Sequence, residues 1–103
     1  MDLNPFHEVI DGSILEGKNL SIRSWRNGDV FQPLGMAGHK KVSDFLVDEK
    51  VDRFAKVKQL VLTANEEIIW VCGRRLSDKA KVTHSTQEIL ELSMETKVGT
   101  SWR

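Results

Sequence analysis

The sequence of 103 residues predicts an α+β domain built mostly from antiparallel strands, with one or two short helices. Three observations support this fold class. Several apolar runs have strand length, turn-forming residues separate these runs, and a single segment carries apolar residues at helical spacing. We expect one domain, because this length suits a single modest hydrophobic core.

The first half of the chain is predicted to contain two strands and a long loop. Residues 6–12 (FHEVIDG) alternate loosely between apolar and polar, and residues 19–25 (NLSIRSW) alternate cleanly, with a leucine and an isoleucine on one side. The sequence RNGD at 26–29 predicts a turn, because Asn-Gly tolerates positive φ. Residues 30–41 follow as a loop that contains a proline and two glycines.

A short amphipathic helix is predicted for residues 42–51 (VSDFLVDEKV). Its apolar positions place Val42, Phe45 and Leu46 on one face, and we expect Phe45 and Leu46 to pack in the core. The same face is expected to continue through three further apolar residues, Val47, Val51 and Phe54. A side-chain oxygen of Ser43 or Asp44 is expected to cap the first turn.

The second half of the chain predicts a hairpin. The runs QLVLTA (59–64) and EIIWVCG (67–73) are separated by Asn65 and Glu66, which suit a tight turn. The second run is continuously apolar, so it is predicted to be a central strand covered on both faces, with Trp70 in the core.

The remaining residues are predicted to form a polar connection, a last strand and a tail. The connection GRRLSDKAKVTHST is basic. Residues 87–94 (QEILELSM) alternate and are expected to form the closing strand, with Ile89 packing inward alongside Leu90 and Leu92. The terminal segment ETKVGTSWR lacks a packing face and is expected to be loose.

Composition restricts the class of protein. The chain has 15 basic and 15 acidic side chains, so overall charge gives no argument for nucleic-acid or membrane binding and only local clusters can. Its single cysteine favours a reducing, cytoplasmic setting. No apolar run approaches membrane-spanning length, and the first residues, MDLNPFHEV, do not resemble a secretory signal.

No catalytic or metal site is evident in the residue pattern. Asp44 and Asp48 are one helical turn apart and could act as an acid–base pair, but an acidic, solvated first turn is the more common explanation. Cys72 lies in an apolar strand, where a thiolate is disfavoured, so it is expected in the core. The three histidines and this cysteine lack the short spacings of a zinc site, and no cofactor loop is present.

The glycine loop and two basic clusters form the strongest candidate site. Gly35 and Gly38 are three apart, which fails the nucleotide-binding P-loop pattern, yet such a loop followed by two lysines and a helix start can attract an anion. A second basic cluster, GRR, follows the central strand. Trp25 and Trp70 could offer stacking surfaces for bases, although tryptophans in strands more often pack. A solvated turn is the competing explanation for the loop.

The segment RNGDVFQPLGMAGHKKVSDFLVDEKV resembles the C-terminal domain of bacterial tRNA(Ile)-lysidine synthetase. That family carries a run of the form R-x-GD-x-F-x-P-x-G-x-x-G-x-KK-x-SDF-x-x-D-x-K, and this chain has each of those residues between positions 26 and 50. The segments EIIWVCGRRLSDKAKVT and STQEILEL resemble the family's later strand, basic turn and closing strand. Asp52 occupies a position where many relatives have proline.

The resemblance implies a fold, a role and a set of boundaries. It implies a sandwich-like arrangement of strands with flanking helices, related to a domain of the β subunit of phenylalanyl-tRNA synthetase. It divides the chain into an N-terminal strand and lead-in (1–19), the family-type domain (20–92) and a loose tail (93–103). The family's enzyme uses ATP to join lysine to the wobble cytidine of an isoleucine tRNA, through a PP-loop motif that this sequence lacks.

The chain is therefore expected to be a non-catalytic tRNA-binding domain without a cofactor of its own, with ATP used elsewhere in the parent enzyme. Six residues are predicted to contact RNA: Arg26, His39, Lys40, Lys41, Arg74 and Arg75. We expect Asp29, Ser43 and Asp44 to shape the loop and the helix start instead. The alternative function is a protein-interaction module that docks onto the catalytic or linking domain of the same enzyme, which zero net charge favours.

Overall fold

The computed structural model describes residues 6–95 and arranges them as strands with two short α-helices. The elements in chain order are β1 (His7–Asp11), β2 (Leu20–Ser24), β3 (Val30–Phe31), β4 (Lys40–Lys41), α1 (Val42–Asp48), α2 (Arg53–Val57), β5 (Leu60–Ala64), β6 (Glu67–Val71), β7 (Arg75–Leu76) and β8 (Ile89–Ser93). All the strand pairs are antiparallel. The predicted α+β class is confirmed.

A four-stranded sheet in the order β2-β5-β6-β7 forms the centre of the structure. The predicted hairpin joins β5 to β6, and its two turn residues, Asn65 and Glu66, both have positive φ (48° and 72°). Positive φ at both central positions is the requirement of a type I′ turn, whose twist matches that of the flanking strands. In β6, the four residues after Glu67 are all buried, which confirms that this strand is central and covered on both faces.

Two hydrophobic cores share this sheet. The first lies beneath the separate two-stranded sheet β1–β8 and contains Ile10, Leu62 and Trp70, with Leu90 and Leu92 packed against it. The second lies beneath α1 and the small β3–β4 sheet. The closing strand was therefore predicted correctly, but Ile89 is 58% exposed because it lies on the outer side of the strand.

Helix α1 contributes three residues to the second core. Val42, Phe45 and Leu46 are at most 2% exposed, as predicted. Phe45 meets Phe31 of β3 edge to face, with ring centroids 5.3 Å apart. Edge-to-face contacts add specific geometry to the burial of apolar area.

The predicted extension of this helical face is wrong in part. The helix ends at Asp48, and Val51 still packs against the core, but Val47 is 60% and Phe54 80% exposed. The chain turns at Lys50, whose φ is +59°, and α2 then starts as a separate helix at Arg53. The Asp52 carboxylate caps α2 by accepting from the Ala55 N–H at 2.9 Å.

The predicted cap of α1 is also wrong. Lys41 holds the N-cap position and its side chain makes no capping bond; neither Ser43 nor Asp44 supplies one. Instead, the Val42 N–H donates to the carbonyl of Asp29 at 2.9 Å. A backbone oxygen from the preceding turn therefore satisfies the first donor of the helix.

Short strands occupy two segments that were predicted as loops. Strands β3 and β4 pair across the glycine loop, and β7 adds an edge to the sheet within the basic connection, ahead of a 3-10 turn at Asp78–Ala80. The 1–19, 20–92 and 93–103 division stays a prediction. Of the predicted tail, residues 96–103 lie outside the described residues, as do residues 1–5. No helix between residues 6 and 95 has the length and apolar character to cross a membrane.

Candidate nucleic-acid interface

The turn before the glycine loop is organised by Asp29. Its carboxylate accepts two bonds from the Arg23 guanidinium, at 2.9 and 3.0 Å, and one from the Arg26 N–H at 2.7 Å. Gly28, with φ of +94°, lets the chain reverse within this turn. Since the Asp29 carbonyl also receives the Val42 N–H, one residue ties β2, the turn and α1 together.

The Arg23 and Asp29 side chains of this turn shift each other's pKa. Partial burial by itself raises the pKa of the Asp29 carboxyl, but the hydrogen bonds from Arg23 and the Arg26 N–H outweigh burial and lower the pKa below its ordinary value of 3.8. The same hydrogen bond to Asp29 raises the pKa of Arg23. The prediction that Asp29 shapes the loop agrees with these contacts.

Backbone N–H groups of the glycine loop donate to residues near β7. The Leu34 N–H donates to the Leu76 carbonyl at 2.9 Å, and the Gly35 N–H donates to the Asp78 carboxylate at 3.1 Å. The hydrogen bond from Gly35 is the main reason why the pKa of Asp78 is lowered. Because a carboxylate already accepts the Gly35 N–H, that group is not free to bind an anion. The loop shapes the surface instead.

Lys40 and Lys41 point to opposite sides of β4, as neighbours in a strand do. Lys40 is opposite the buried Phe31, and its ammonium pairs with the Asp48 carboxylate of α1. Lys41 is opposite Val30, which is 45% exposed, and is itself exposed. Within residues 6–95, no carboxylate pairs with Lys41, so its charge is the one that faces solvent.

Arg74 and Arg75 also separate. The Arg75 guanidinium lies over the Phe45 ring, 5.7 Å from its centroid, and donates to the Leu34 carbonyl at 3.3 Å. Arg75 therefore contacts both the glycine loop and α1. Arg74 instead donates through Nε to Gln59 Oε1 at 2.7 Å, and it lies with Leu60 and Cys72, which belong to the first core.

Three of the six predicted residues, Arg26, His39 and Lys41, are exposed and form no ion pair within residues 6–95. Lys41 pairs with Val30, next to the turn that carries Arg26, and His39 precedes the same strand. We call Arg26, His39 and Lys41 the β4 surface. An open cleft of about 420 Å³ adjoins Arg26, and its lining also includes Arg23, Thr63, Asn65 and Glu66. Lys40 and Arg75 are half-buried and engaged by partners within the domain, whereas Arg74 lies beside Gln59.

The structure gives little support to a nucleophilic cysteine, an acid–base pair or a metal site. Cys72 is buried, and desolvation raises the pKa of its thiol to about 11, so the reactive thiolate is disfavoured. Asp48 is engaged by Lys40 while Asp44 is exposed, so no paired acid–base site forms. In the part of the chain that the structure describes, no three His, Cys, Asp or Glu side chains gather to hold a metal ion.

Gln59 is the residue here that the sequence reasoning missed. Its side chain is buried, donates to the carbonyls of Leu60 and Cys72, and accepts from Arg74. The only signal in the sequence was a polar residue directly before an apolar strand, which is a common pattern at strand starts. Its long-range partners are visible only in the folded chain.

Comparison with known proteins gives a consistent result. A family model described as the TilS substrate C-terminal domain matches residues 20–93. The chain is 38% identical over 71 residues to the tRNA(Ile)-lysidine synthase of Parabacteroides distasonis, covering 69% of this chain and 16% of that protein. It is 41% identical over 69 residues to the corresponding protein of Caldanaerobacter subterraneus, covering 67% of this chain and 15% of that protein.

A solved structure has the same fold. The crystal structure of a TilS C-terminal domain superposes with a TM-score of 0.70 at 20% sequence identity, covering 93% of this chain and 76% of that one. The chain spans about one-sixth of the length of the curated relatives it matches.

Proposed function

This chain belongs to the TilS substrate C-terminal domain family, and from that premise we propose that it binds tRNA on behalf of a tRNA(Ile)-lysidine synthase. The observation that carries the proposal is the β4 surface. Arg26, His39 and Lys41 are exposed there, and none of them pairs with a carboxylate within residues 6–95. The net charge of the chain is zero, so attraction to the RNA phosphates has to come from a local basic group such as this one.

The chemistry of RNA suits such a surface. Proteins recognise an RNA helix mainly through its phosphates, its 2′-hydroxyls and its shape, because its deep major groove is closed to side chains. Arg26 supplies a planar fork for a phosphate and Lys41 a mobile point charge. We assign these two residues and His39 to direct contact, and Lys40 and Arg75 to holding the surface in place.

The rest of the parent enzyme is proposed to supply the reaction. Binding of ATP and joining of lysine to the tRNA belong, in this proposal, to the portion of the relatives that this chain does not match. The described residues offer no nucleophile paired with a base. Incubation of the chain with ATP, lysine and tRNA is therefore expected to yield no lysidine, and product formed by this chain alone would contradict the proposal.

The test of tRNA binding is a salt series on matched lysine variants. We expect a dissociation constant on the order of 10⁻⁴ to 10⁻⁶ M for labelled tRNA(Ile), measured by fluorescence anisotropy from about 50 to about 200 mM salt. Lys41→Ala should weaken binding to all tRNAs alike. It should also lower the slope of log affinity against log salt by about 0.7 to 0.9, the contribution of one phosphate contact.

The matched control is Lys18→Ala, which removes an exposed lysine in the loop before β2. Because a five-residue strand separates Lys18 from the turn that carries Arg26, this variant should bind like the parent chain. Binding that ignores salt, or equal losses in the two variants, would count against the β4 surface.

Docking onto another part of the same enzyme is the second candidate function. One observation favours it: α2 exposes 80% of Phe54 and 74% of Val57, a large apolar area for so short a helix. If the Lys41→Ala chain binds tRNA normally but Phe54→Ala fails to associate with the rest of the enzyme, docking is the better description.

A further inference from the structure

A second basic site lies on the other side of the central sheet. A groove of about 290 Å³ opens between the end of α2 and the turn after β6. Its floor is apolar, formed by Leu60, Cys72 and Met94, and its two cations are Lys58 and Arg74. We call it the α2 groove. Its floor residues belong to the first core, whereas the β4 surface covers the second.

Arg74 is held in a defined orientation within this groove. Its Nε donates to Gln59 Oε1 at 2.7 Å. Gln59 is itself fixed, because it is only 6% exposed and its amide nitrogen donates to the carbonyls of Leu60 and Cys72 at 2.8 and 2.9 Å. A side chain that is locked in this way presents the remaining N–H groups of the guanidinium at a fixed angle, which lowers the entropic cost of binding.

Among residues 6–95, no acid compensates these two charges. The residues that line the groove include no aspartate or glutamate, and neither cation has a carboxylate partner in the chain between residues 6 and 95. Other lysines of the domain differ in this respect: Lys40 pairs with Asp48 and Lys79 with Glu67. Two uncompensated cations over a low-dielectric floor concentrate positive potential and select an anion.

We propose that the α2 groove binds a phosphate group of the RNA backbone, as a second contact separate from the β4 surface. This inference rests on the proposed function. A phosphodiester matches a guanidinium fork with an ammonium beside it, and it needs no further donor or acceptor from the groove walls.

An extended acidic peptide fits the groove less well than RNA does. Extended peptides gain affinity by adding to a free strand edge. Here the backbones at the groove bond to each other, since the Cys72 N–H donates to the Leu60 carbonyl at 3.0 Å and Gln59 occupies the Cys72 carbonyl. The two basic sites lie on opposite sides of the sheet, so they contact different segments of one RNA.

The experiment measures tRNA binding by anisotropy for Arg74→Ala, Arg74→Lys, Lys41→Ala and the double variant Arg74→Ala/Lys41→Ala, with Lys18→Ala as control. Arg74→Ala should weaken binding about fivefold to tenfold near 0.1 M salt and lower the salt slope by about 0.7 to 0.9. Arg74→Lys should restore the slope but only part of the affinity, because it keeps the charge and loses the fork. The losses at Arg74 and Lys41 should add in the double variant.

A second measurement reports on the site itself. The ¹⁵N-labelled parent chain is titrated with tRNA, and separately with inorganic phosphate and with a polyglutamate peptide, while the Nε–H resonance of Arg74 is followed by NMR. We expect this resonance to shift with tRNA and with phosphate. Equal circular dichroism spectra for the variants establish that each has folded.

The possible results separate the two proposals. If Lys41→Ala weakens binding and Arg74→Ala does not, the groove inference is overturned while the proposed function stands. If the parent chain binds no tRNA, both are overturned. A resonance that responds to polyglutamate and not to tRNA would also overturn the inference, by making the groove a protein-docking site.

Discussion

Asp29 shows how much a single side chain can organise. It fixes Arg23 through two hydrogen bonds, holds the turn through the Arg26 N–H, and starts α1 through its carbonyl. Both members of the ion pair are mostly buried, with 17% of the Arg23 side chain and 13% of the Asp29 side chain exposed. Removing one charge therefore leaves the other poorly solvated, which costs more than loss of a surface pair.

Asp29→Asn is expected to lower the free energy of unfolding by about 2 to 3 kcal/mol at neutral pH, since the amide keeps the shape but loses the charge-assisted bonds. Because the pKa of Asp29 is lowered in the folded state, its contribution is complete above the unfolded carboxyl pKa, and it disappears as pH falls through the folded pKa. The difference between parent and variant should therefore shrink below about pH 4.

Urea unfolding from pH 7 down to pH 3 measures this difference. Glu49→Gln is the control, because Glu49 is exposed and should change stability by less than about 0.5 kcal/mol. A gap between Asp29→Asn and the parent that stays constant through the acid range would assign the effect to shape and not to charge.

The two helices differ in what they bury. Phe45 of α1 contacts both the Phe31 ring and the Arg75 guanidinium, whereas α2 buries none of its residues completely. The stability of α2 comes instead from the Asp52 cap and from the Trp25 indole, which donates to the Lys56 carbonyl at 2.7 Å. One helix is part of the core and the other is held on the surface by hydrogen bonds.

A pair of phenylalanine variants tests this contrast. Phe45→Ala should cost about 3 to 5 kcal/mol of stability, because it removes a buried ring and leaves a cavity. Phe54→Ala, which removes the same group from an 80% exposed position, should cost less than about 0.5 kcal/mol. Urea midpoints give both values, and similar losses in the two variants would mean that Phe54 is covered in solution.

The elements that were predicted correctly are those with strong local signals. Val42, Phe45 and Leu46 repeat at helical spacing, and Asn65-Glu66 separates two apolar runs, so α1 and the β5–β6 hairpin followed from pattern alone. Strands β3, β4 and β7 have two residues each and leave no periodic trace. Val47 is exposed because it lies outside the buried face of α1, whereas the exposure of Phe54 depends on the chain turn at Lys50, which residue type does not indicate.

The candidate site was only partly predictable for a related reason. The sequence shows that Lys40-Lys41 and Arg74-Arg75 are basic pairs, but adjacent residues at strand positions and turns point in different directions. The direction that each side chain takes depends on partners elsewhere in the chain, such as Asp48 for Lys40, Gln59 for Arg74 and Phe45 for Arg75.

At the scale of the whole molecule, one sheet serves two cores. Strand β6 contributes Trp70 to one core and Val71 to the other, and β5 alternates in the same way with Leu62 and Val61. Because the same strands line both cores, a substitution that weakens one core also weakens the other. We expect the domain to unfold as one cooperative unit.

Ile10→Ala in the first core and Leu46→Ala in the second should each cost about 2 to 5 kcal/mol, since both side chains are fully buried. Each variant should still show a single transition, with circular dichroism and tryptophan fluorescence coinciding along a urea gradient. Ile22→Ala is the control, because Ile22 is 64% exposed and should leave the midpoint nearly unchanged. Two separate transitions in either core variant would show that the cores unfold independently.

The β1–β8 sheet has a kinetic consequence. It pairs residues from near the two ends of the described chain, and the His7–Glu91 contact across it spans 84 positions. Such a pairing requires closure of a very long loop before any of its hydrogen bonds form, whereas the β5–β6 hairpin closes over two residues. Folding is therefore expected to begin at the hairpin and to finish when β1 and β8 meet, so the first core is the last to exclude water.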